Sequence, residues 1–283
     1  MAPLPEGTVE LVARALAEDL GPGDLTAEAT IAAGLDGSAR IILKEPGVVH
    51  GLEVAGEVFR QAGTTGFEVL LGEDRRLTEV PVDVAKVSGP VRAILAGERT
   101  ALNLLGHLSG IATSTARFVE EVEGTGAAIL DTRKTTPGLR NLEKAAVAAG
   151  GGVNHRFGLY DGILIKENHI ASAGGIGPAV TACHGRYPGV PVEVEAETVD
   201  QVREAILAGA DRILLDNMDA GTMREAVAER DRVVDRDLTL EASGGITLEN
   251  VREAAETGVD LISIGSLTHS APALDFSLLI EAS

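Results

Sequence analysis

From about residue 110 onward, short apolar runs alternate with amphipathic segments. The pattern predicts helices between strands at 127–131, 162–166, 191–196, 212–216, 238–243 and 260–264. Gly209-Ala-Asp-Arg-Ile and Gly258-Val-Asp-Leu-Ile repeat the same passage from a helix end into a strand. Such repetition indicates a parallel sheet or barrel covered by helices. About six strands are fewer than the eight of a complete TIM barrel, so we expect an incomplete α/β barrel.

The residues before this region mix helices and strands without strict alternation. Helices are predicted at 8–20, 54–61 and 98–108, and strands at 39–43, 48–49 and 67–70. This order is typical of an α+β domain. Arg99 lies on the third predicted helix and has no core role there, so a surface position is an equal alternative to a functional one. His50 and His107 have no supporting group in the sequence and are interpreted as structural.

The charge of the chain limits its partners. Lys and Arg number 24 against 43 Asp and Glu, which gives a formal net charge of −19. Nucleic acid and anionic membranes are therefore not expected as general partners. The sequence shows no transmembrane, secretory or transit pattern, and the single cysteine, Cys183, suits a small buried apolar role. These features predict a cytoplasmic protein.

Cations concentrate between residues 131 and 170 despite this acidic background. They are Arg133, Lys134, Arg140, Lys144, Arg156 and Lys166, with His155 and His169 beside them. Arginine forks and lysine ammonium groups match carboxylates and phosphates, so the segment predicts a site for a small, multiply anionic molecule. The alternative is a solvated helix that is capped by Thr136, starts with Pro137 and carries Arg140 and Lys144.

The predicted strands end on or beside residues whose side chains or backbone could bind a ligand or take part in catalysis. These are Arg133 and Lys134, then Lys166, Glu195, Asp216, Ser243-Gly244-Gly245 and Gly265-Ser266. Carboxyl ends of parallel strands meet at one edge of a sheet, which predicts a single site. Glu195 and Asp216 suit ribose hydroxyls or Mg²⁺, although polar residues also end strands without any function.

The glycine turn at 244–245 adds a candidate phosphate site. Its backbone N–H groups, followed by a helix that we expect Thr247 to cap, suit an anion. A Gly-Gly pair alone more often marks a plain tight turn. The second turn at Gly265-Ser266 makes the prediction more specific, because barrel phosphate sites often use the last two strand ends.

Several long motifs resemble the quinolinate phosphoribosyltransferase family. They are EDLGPGDLT at 18–26, GERTALNLLGHLSGIAT at 97–113, DTRKTTPGLR at 131–140, GGGVNHRFGLYDG at 150–162, KENHI at 166–170, VEVEAET at 192–198, ILLDNM at 213–218, EASGGI at 241–246 and ISIGSLTHSAPALDFSL at 261–278. The resemblance implies an N-terminal α/β sandwich over 1–109, an incomplete barrel over 110–270, and a segment 271–283 that packs back on the first domain. It also implies at least a homodimer.

The resemblance further implies a reaction. Quinolinate and phosphoribosyl pyrophosphate would give nicotinate mononucleotide, pyrophosphate and CO₂ with Mg²⁺. Arg133, His155, Arg156 and Lys166 would hold quinolinate, and Arg99 would reach it from the neighbouring subunit. Lys134, Glu195 and Asp216, with Thr132 beside them, would address phosphoribosyl pyrophosphate and the metal. Its 5′-phosphate would lie among Ser243, Gly244, Gly245, Gly265, Ser266 and His269.

Three alternatives stay open at this point. A Schiff-base aldolase would use Lys166 as its nucleophile, but it needs one amine rather than several carboxylate clamps. A relative with the same fold would use another carboxylated heterocycle. A non-catalytic anion-binding protein would not need both an acidic pair and two phosphate turns.

Overall fold

The computed structural model describes residues 3–233 and 237–281. Up to residue 121 the elements are α1 (Thr8–Leu20), α2 (Leu25–Thr30), β1 (Asp36–Leu43), β2 (Gly47–Val49), α3 (Leu52–Ala62), β3 (Gly66–Val69), β4 (Arg75–Leu77), β5 (Val82–Pro90) and α4 (Val91–Glu121). The elements that follow are β6 (Ala128–Leu130), α5 (Arg140–Ala149), β7 (Ile163–Ile165), α6 (Glu167–Ala173), α7 (Ile176–Arg186), β8 (Val192–Ala196), α8 (Val199–Ala208), β9 (Arg212–Asp216), α9 (Ala220–Arg230), β10 (Thr239–Ser243), α10 (Val251–Ala255), β11 (Leu261–Ser263), α11 (Ser266–His269) and β12 (Phe276–Glu281).

The chain divides into two compact units. The first comprises Met1–Ala116, Thr135–Gly150 and Thr268–Ser283, and the second comprises Arg117–Lys134 and Gly151–Leu267. In this division Thr135–Gly150, which we predicted within the barrel domain, belongs to the first unit. Among the described residues, no helix is both long and apolar enough to cross a membrane.

The first unit is built on an antiparallel sheet with the strand order β12-β1-β5-β3, beside the pair β2-β4. Strand β12 pairs with β1 so that Ala39 lies opposite Ile280. The rings of Phe59 on α3 and Phe67 on β3 stack with their centroids 5.9 Å apart. Sequence analysis did not identify β5, because its alternation is interrupted by the consecutive apolar residues Val84 and Ala85, opposite a shift in the register of β1.

Helix α4 has 31 residues, whereas the prediction covered only 98–108. Its internal glycines lower intrinsic helix propensity, which concealed its length. Two of them are required by packing within the first unit. A Cβ atom at Gly110 would lie 2.1 Å from the carbonyl oxygen of Pro272, and one at Gly106 would lie 2.8 Å from that of Leu274. The segment that leads into β12 therefore lies directly against the helix backbone.

The second unit confirms the predicted six-stranded parallel architecture. Its strand order is β6-β11-β10-β9-β8-β7, with β6 and β7 at the two edges. Helix α8 begins with the predicted capping box, in which the Thr198 hydroxyl accepts a hydrogen bond from the Gln201 N–H. It ends at Gly209 in the left-handed conformation, as predicted.

Strands β8, β9 and β10 have two chemically different faces, because side chains alternate along a strand. One face is apolar and buried, and comprises Val192, Val194, Ala196, Ile213, Leu215, Leu240 and Ala242. The other, which we call the charged face, carries Glu193, Glu195, Arg212, Asp216, Glu241 and Ser243. The strands therefore bring ionisable groups together on one side of the sheet.

Some local predictions were wrong. Helix α5 begins at Arg140 rather than Pro137, because Gly138 has a φ of +85° and Glu143 accepts a hydrogen bond from the Thr136 N–H. Lys144 is fully buried rather than solvated.

The helix after β10 was also placed too early. Asn250, not Thr247, precedes α10, because the Asn250 side chain accepts the Thr247 N–H and closes a turn first. Cys183 is only partly buried, on α7.

Candidate active site at the carboxyl ends of the parallel strands

The predicted strand-end residues of the second unit occupy one edge of the parallel sheet. Asp216 ends β9 and lies in register with Ser243, which ends β10. Glu195 lies near the end of the neighbouring β8, and Lys166 directly follows β7. Because the strands are parallel, these ends face the same side of the unit.

Two arginines converge in this region. Burial lowers the pKa of Arg156, and the nearby charge of Arg133 lowers it further, while Glu193 and Asp161 oppose that shift. Arg156 Nη1 donates to the Gly162 carbonyl oxygen at 2.9 Å, whereas its buried Nε finds no acceptor among the residues that the structure describes. Two guanidinium groups that repel each other form a site that an anion would stabilise.

The loop after Arg156 is a tight turn closed by one carboxylate. Asp161 accepts hydrogen bonds from the backbone N–H groups of Phe157 at 2.7 Å and Gly158 at 2.8 Å. Leu159 and Tyr160 project from this turn into solvent. The turn returns the chain to Gly162, whose carbonyl holds the Arg156 guanidinium.

His155 lies in a buried cluster. Its Nε2 is 3.0 Å from Glu193 Oε2 and 3.7 Å from Glu241 Oε2, and its Nδ1 accepts the Arg156 N–H at 2.7 Å. The His155 N–H donates to Asp131 at 2.9 Å. Sequence analysis missed Glu193 and Glu241, although the strict alternation of Val192–Ala196 places Glu193 on the same face as Glu195.

Glu241 is fully buried on the charged face. Burial raises its pKa to about 7, helped by repulsion from Glu193 and opposed by His155, Ser263 and Arg212. Arg212 Nη1 lies 3.4 Å from Glu241 Oε2. The cluster thus contains two carboxyl groups, one imidazole and one guanidinium.

Lys166 and Glu195 form an ion pair across the ends of β7 and β8. The lysine side chain is 47% exposed and the glutamate 12%. The Lys166 N–H donates to His169 Nδ1 at 3.0 Å, which fixes the start of α6. A Schiff-base nucleophile is usually a desolvated amine beside apolar or cationic groups, so this pairing does not favour the aldolase alternative.

The glycine turn after β10 packs against the end of β9. Asn217 has a φ of +54°, donates its backbone N–H to the Ser243 carbonyl at 2.8 Å, and donates its side-chain amide to Asp216 at 2.8 Å. A Cβ atom at Gly244 would lie 2.3 Å from Asn217 Oδ1, so only glycine fits. Since α10 begins only at Val251, the expected helix start directly after this turn is wrong.

The remaining predicted residues lie in both units. Thr132 accepts the Lys134 N–H at 3.1 Å, and the partly buried Gly265 and Ser266 follow β11. Arg99 and His269 are exposed residues of the first unit.

The two histidines interpreted as structural each contact a carboxylate of the first unit. His50 lies 2.7 Å from Asp74, and His107 lies 2.9 Å from Glu143. No role in the site was predicted for either histidine.

Two family models match the chain in succession. The description "Quinolinate phosphoribosyl transferase, N-terminal domain" matches residues 24–109, and "Quinolinate phosphoribosyl transferase, C-terminal domain" matches residues 111–279. Together they cover most of the chain.

Individual relatives match over nearly the whole length. The nicotinate-nucleotide pyrophosphorylase [carboxylating] of Mycobacterium leprae is 43% identical over 95% of both chains. A probable enzyme of the same name from Bacillus subtilis is 44% identical over 94% of this chain and 91% of its own.

A solved structure shows the same fold. The nicotinate-nucleotide pyrophosphorylase from Francisella tularensis superposes with a TM-score of 0.93 at 39% identity and covers 99% of this chain and 98% of its own. By its domain matches, its relatives and its fold, the chain belongs to the quinolinate phosphoribosyltransferase family.

Proposed function

We propose that the chain transfers the phosphoribosyl group of phosphoribosyl pyrophosphate to quinolinate and releases CO₂, which gives nicotinate mononucleotide and pyrophosphate. The observation that carries this proposal is the cationic cluster at the strand ends. Lys166 follows β7 and pairs with Glu195. Arg156, held 2.9 Å from the Gly162 carbonyl, lies near Arg133. Quinolinate has two adjacent carboxylates, and two guanidinium groups with the Lys166 ammonium supply the matching charge. Family membership supports the same reaction.

The acceptor and the donor use different parts of the strand-end edge in this proposal. Arg133, Arg156 and Lys166 hold the quinolinate carboxylates, and His155 supports this clamp because its Nδ1 accepts the Arg156 N–H. The ribose and the pyrophosphate are bound by Lys134, Glu195 and Asp216, with Thr132 beside them. In this proposal the 5′-phosphate binds to the backbone groups of Ser243, Gly244, Gly245 and Gly265, with Ser266 beside them.

The acidic pair also fits Mg²⁺. The groups of three or more potential ligands found among the described residues are His50-Glu73-Asp74 and His155-Glu193-Glu241, so Glu195 and Asp216 form no complete cage. Their carboxylates suit an ion that keeps several waters and takes other ligands from substrate phosphates, which is the usual behaviour of Mg²⁺. When bound, the ion would offset charge on the departing pyrophosphate.

The residues of the chain act by placement and charge. As pyrophosphate leaves, cationic character develops at C1′ of the ribose, and Asp216 and Glu195 stabilise it. The arginine clamp holds the pyridine nitrogen where its lone pair forms the bond to C1′. The carboxylate next to that nitrogen then leaves as CO₂, its bonding electron pair stays on the ring carbon beside the cationic nitrogen, and that carbon takes up a proton.

The substrate assignment is tested by mass analysis of the products. Purified protein with Mg²⁺, phosphoribosyl pyrophosphate and quinolinate is expected to yield nicotinate mononucleotide and CO₂. The same mixture with nicotinate is expected to yield none, because one carboxylate does not fill the cation cluster. Product from nicotinate, or from another heterocyclic acid but not quinolinate, would contradict the assignment.

We also propose a homodimer, or a larger homo-oligomer, in which Arg99 serves the neighbouring active site. Its exposed position on α4 and the family pattern support this arrangement. A two-fold interface lends the same residue in both directions. A cytoplasmic location is part of the proposal, since a single cysteine among 283 residues suits a reducing compartment.

Subunit exchange tests the shared site. Arg99→Ala and Lys166→Ala chains are expected to be nearly inactive alone. After mixing and exchange, one site in each mixed dimer carries both changes and the other carries neither, so activity should recover to roughly a quarter of the unmodified enzyme. Mixing Arg99→Ala with Arg133→Ala is a second pair with the same expectation. Absence of recovery, with exchange verified by mass spectrometry, would place Arg99 outside the partner's site.

A further inference from the structure

The charged face continues below the strand ends as a buried layer that the proposed reaction does not use directly. Glu193 from β8, Arg212 from β9 and Glu241 from β10 surround the ring of His155. The His155 side chain is 9% exposed, and those of Glu193 and Glu241 are 7% and 0% exposed. Burying this many ionisable groups costs stability unless they are paired, so the layer requires an explanation.

Hydrogen bonds determine where the imidazole proton lies. His155 Nδ1 faces the Arg156 N–H at 2.7 Å and must therefore accept, which leaves the proton on Nε2. Nε2 then donates to Glu193 Oε2 at 3.0 Å. Burial lowers the pKa of His155, but the bond to Glu193 and the charge of Glu241 outweigh burial and raise it. The N–H of Arg156 opposes a second proton on Nδ1, so we assign the neutral ring with its proton on Nε2.

The same atoms do not form a cation site. His155, Glu193 and Glu241 each offer a ligand atom within 4.8 Å of the others. However, Arg212 already places a guanidinium 3.4 Å from Glu241, and Glu193 accepts directly from His155. A divalent ion would have to displace one positive group and break the hydrogen bond of another. The geometry instead describes a chain of contacts that leads from Glu193 to Arg156.

We propose that Glu193 is a positioning residue for the acceptor: it orients the His155 ring, and the ring holds the Arg156 backbone so that the guanidinium faces the substrate carboxylates. This inference rests on the proposed function. Arg156 itself is anchored at Nη1 by the Gly162 carbonyl, while no residue in the described part of the chain accepts a hydrogen bond from its buried Nε. The backbone contact with His155 is therefore the second point that fixes the direction of the guanidinium.

The inference predicts a change confined to the acceptor. Glu193→Ala removes the partner of Nε2, and His155 can then turn toward Glu241, which is 3.7 Å away. A small displacement of a clamp has large effects, so the KM for quinolinate should rise about tenfold to a hundredfold. The KM for phosphoribosyl pyrophosphate and kcat should stay within about threefold of the unmodified enzyme, because the contacts at the ends of β9 and β10 are intact.

Conservative variants separate positioning from general stability. Glu193→Gln keeps an oxygen that accepts from Nε2, and its KM for quinolinate should stay within about threefold of the unmodified enzyme. Glu193→Asp withdraws the carboxylate by one methylene and should behave like Glu193→Ala, which provides the test if the alanine variant does not fold. Glu57→Ala is the matched control, because Glu57 is a buried, ion-paired glutamate of the first unit. Its loss should lower the free energy of unfolding without altering either KM.

Nitrogen-15 NMR of the histidine rings gives a readout independent of turnover. The chain has six histidines, and His155→Gln identifies the signals of His155 by their loss. The unmodified protein should show the neutral ring with a proton on Nε2, and Glu193→Ala should change both ring nitrogen shifts.

The outcomes separate the two proposals. Equal changes in both KM values, or unchanged ring signals in Glu193→Ala, would overturn the inference. An unmodified protein that makes no nicotinate mononucleotide would overturn the proposed function, while the NMR spectra still decide the contact between Glu193 and His155.

Discussion

Replacement of Asp216 by asparagine should reduce kcat by about two to three orders of magnitude and leave the KM for quinolinate within about twofold. The reason is that the proposed mechanism assigns the lost charge to the ribose cation of the transition state. Of the two acidic residues, Asp216 gives the substitution that is easier to interpret. Among the described residues, the Asp216 side chain contacts the Asn217 amide, whereas Glu195 contacts Lys166 of the proposed acceptor clamp. Steady-state kinetics with each substrate varied in turn provide the measurement.

A matched control lies three residues further along the chain. Asp219 caps α9 by accepting the Thr222 N–H at 2.8 Å, and asparagine caps helices about as well. Asp219→Asn should therefore keep turnover, although it also removes one carboxylate charge close to the end of β9. Glu195→Gln should lower kcat and also shift the KM for quinolinate, since it releases Lys166. Normal turnover in Asp216→Asn would show that the charge of Asp216 does not contribute to catalysis and that the residue only ends the strand.

The second large effect is expected at Arg156. Arg156→Ala should weaken quinolinate binding by about 2–4 kcal/mol, or about thirtyfold to a thousandfold in Kd, because it removes charge-assisted hydrogen bonds from a partly buried anion site. Isothermal titration calorimetry without phosphoribosyl pyrophosphate measures this binding directly. Arg156→Lys should recover only part of the loss, because an ammonium group does not reproduce the planar fork.

Arg230→Ala controls for the loss of a partly buried arginine. Arg230 ends α9 and pairs with Asp260 at 2.7 Å, with an 18% exposed side chain. Its removal should lower the melting temperature but leave the Kd for quinolinate unchanged. If Arg156→Ala bound quinolinate as tightly as the unmodified protein, the acceptor clamp would have to lie elsewhere.

The strands of the parallel sheet were predictable because apolar runs identify them in the sequence. Strand β9 was predicted at its observed bounds, and β8 and β10 within one residue, since each carries apolar residues and the helix end at Gly209 comes shortly before β9. Helix α4 and strand β5 were harder to predict. Gly106 and Gly110 resemble helix breaks in the sequence, although close packing requires them. The alternation of β5 is interrupted by the apolar pair Val84-Ala85.

The positions at the strand ends were predictable from the sequence, whereas the buried charged cluster beneath them was not. Strand-end positions identify Lys166, Glu195 and Asp216, since their place follows from topology. The burial of Lys144 and the cluster around His155 depend on tertiary contacts that one sequence does not specify. Glu193 and Glu241 had a visible period-two pattern, but a pattern does not distinguish a solvated face from a buried charged one.

The alternation of β8–β10 has a consequence for how this protein can diverge. Substitutions on the apolar face alter packing, whereas substitutions on the charged face alter the chemistry of the site, so acceptor preference and thermal stability can evolve at separate positions. The arrangement is also fragile to insertions and deletions. Adding one residue within Val192–Ala196 would move the side chains beyond the insertion to the opposite face of the sheet. A carboxylate would then leave the charged face and be buried against apolar side chains. Point substitution, rather than length variation, is therefore the route by which these strands can acquire new specificity.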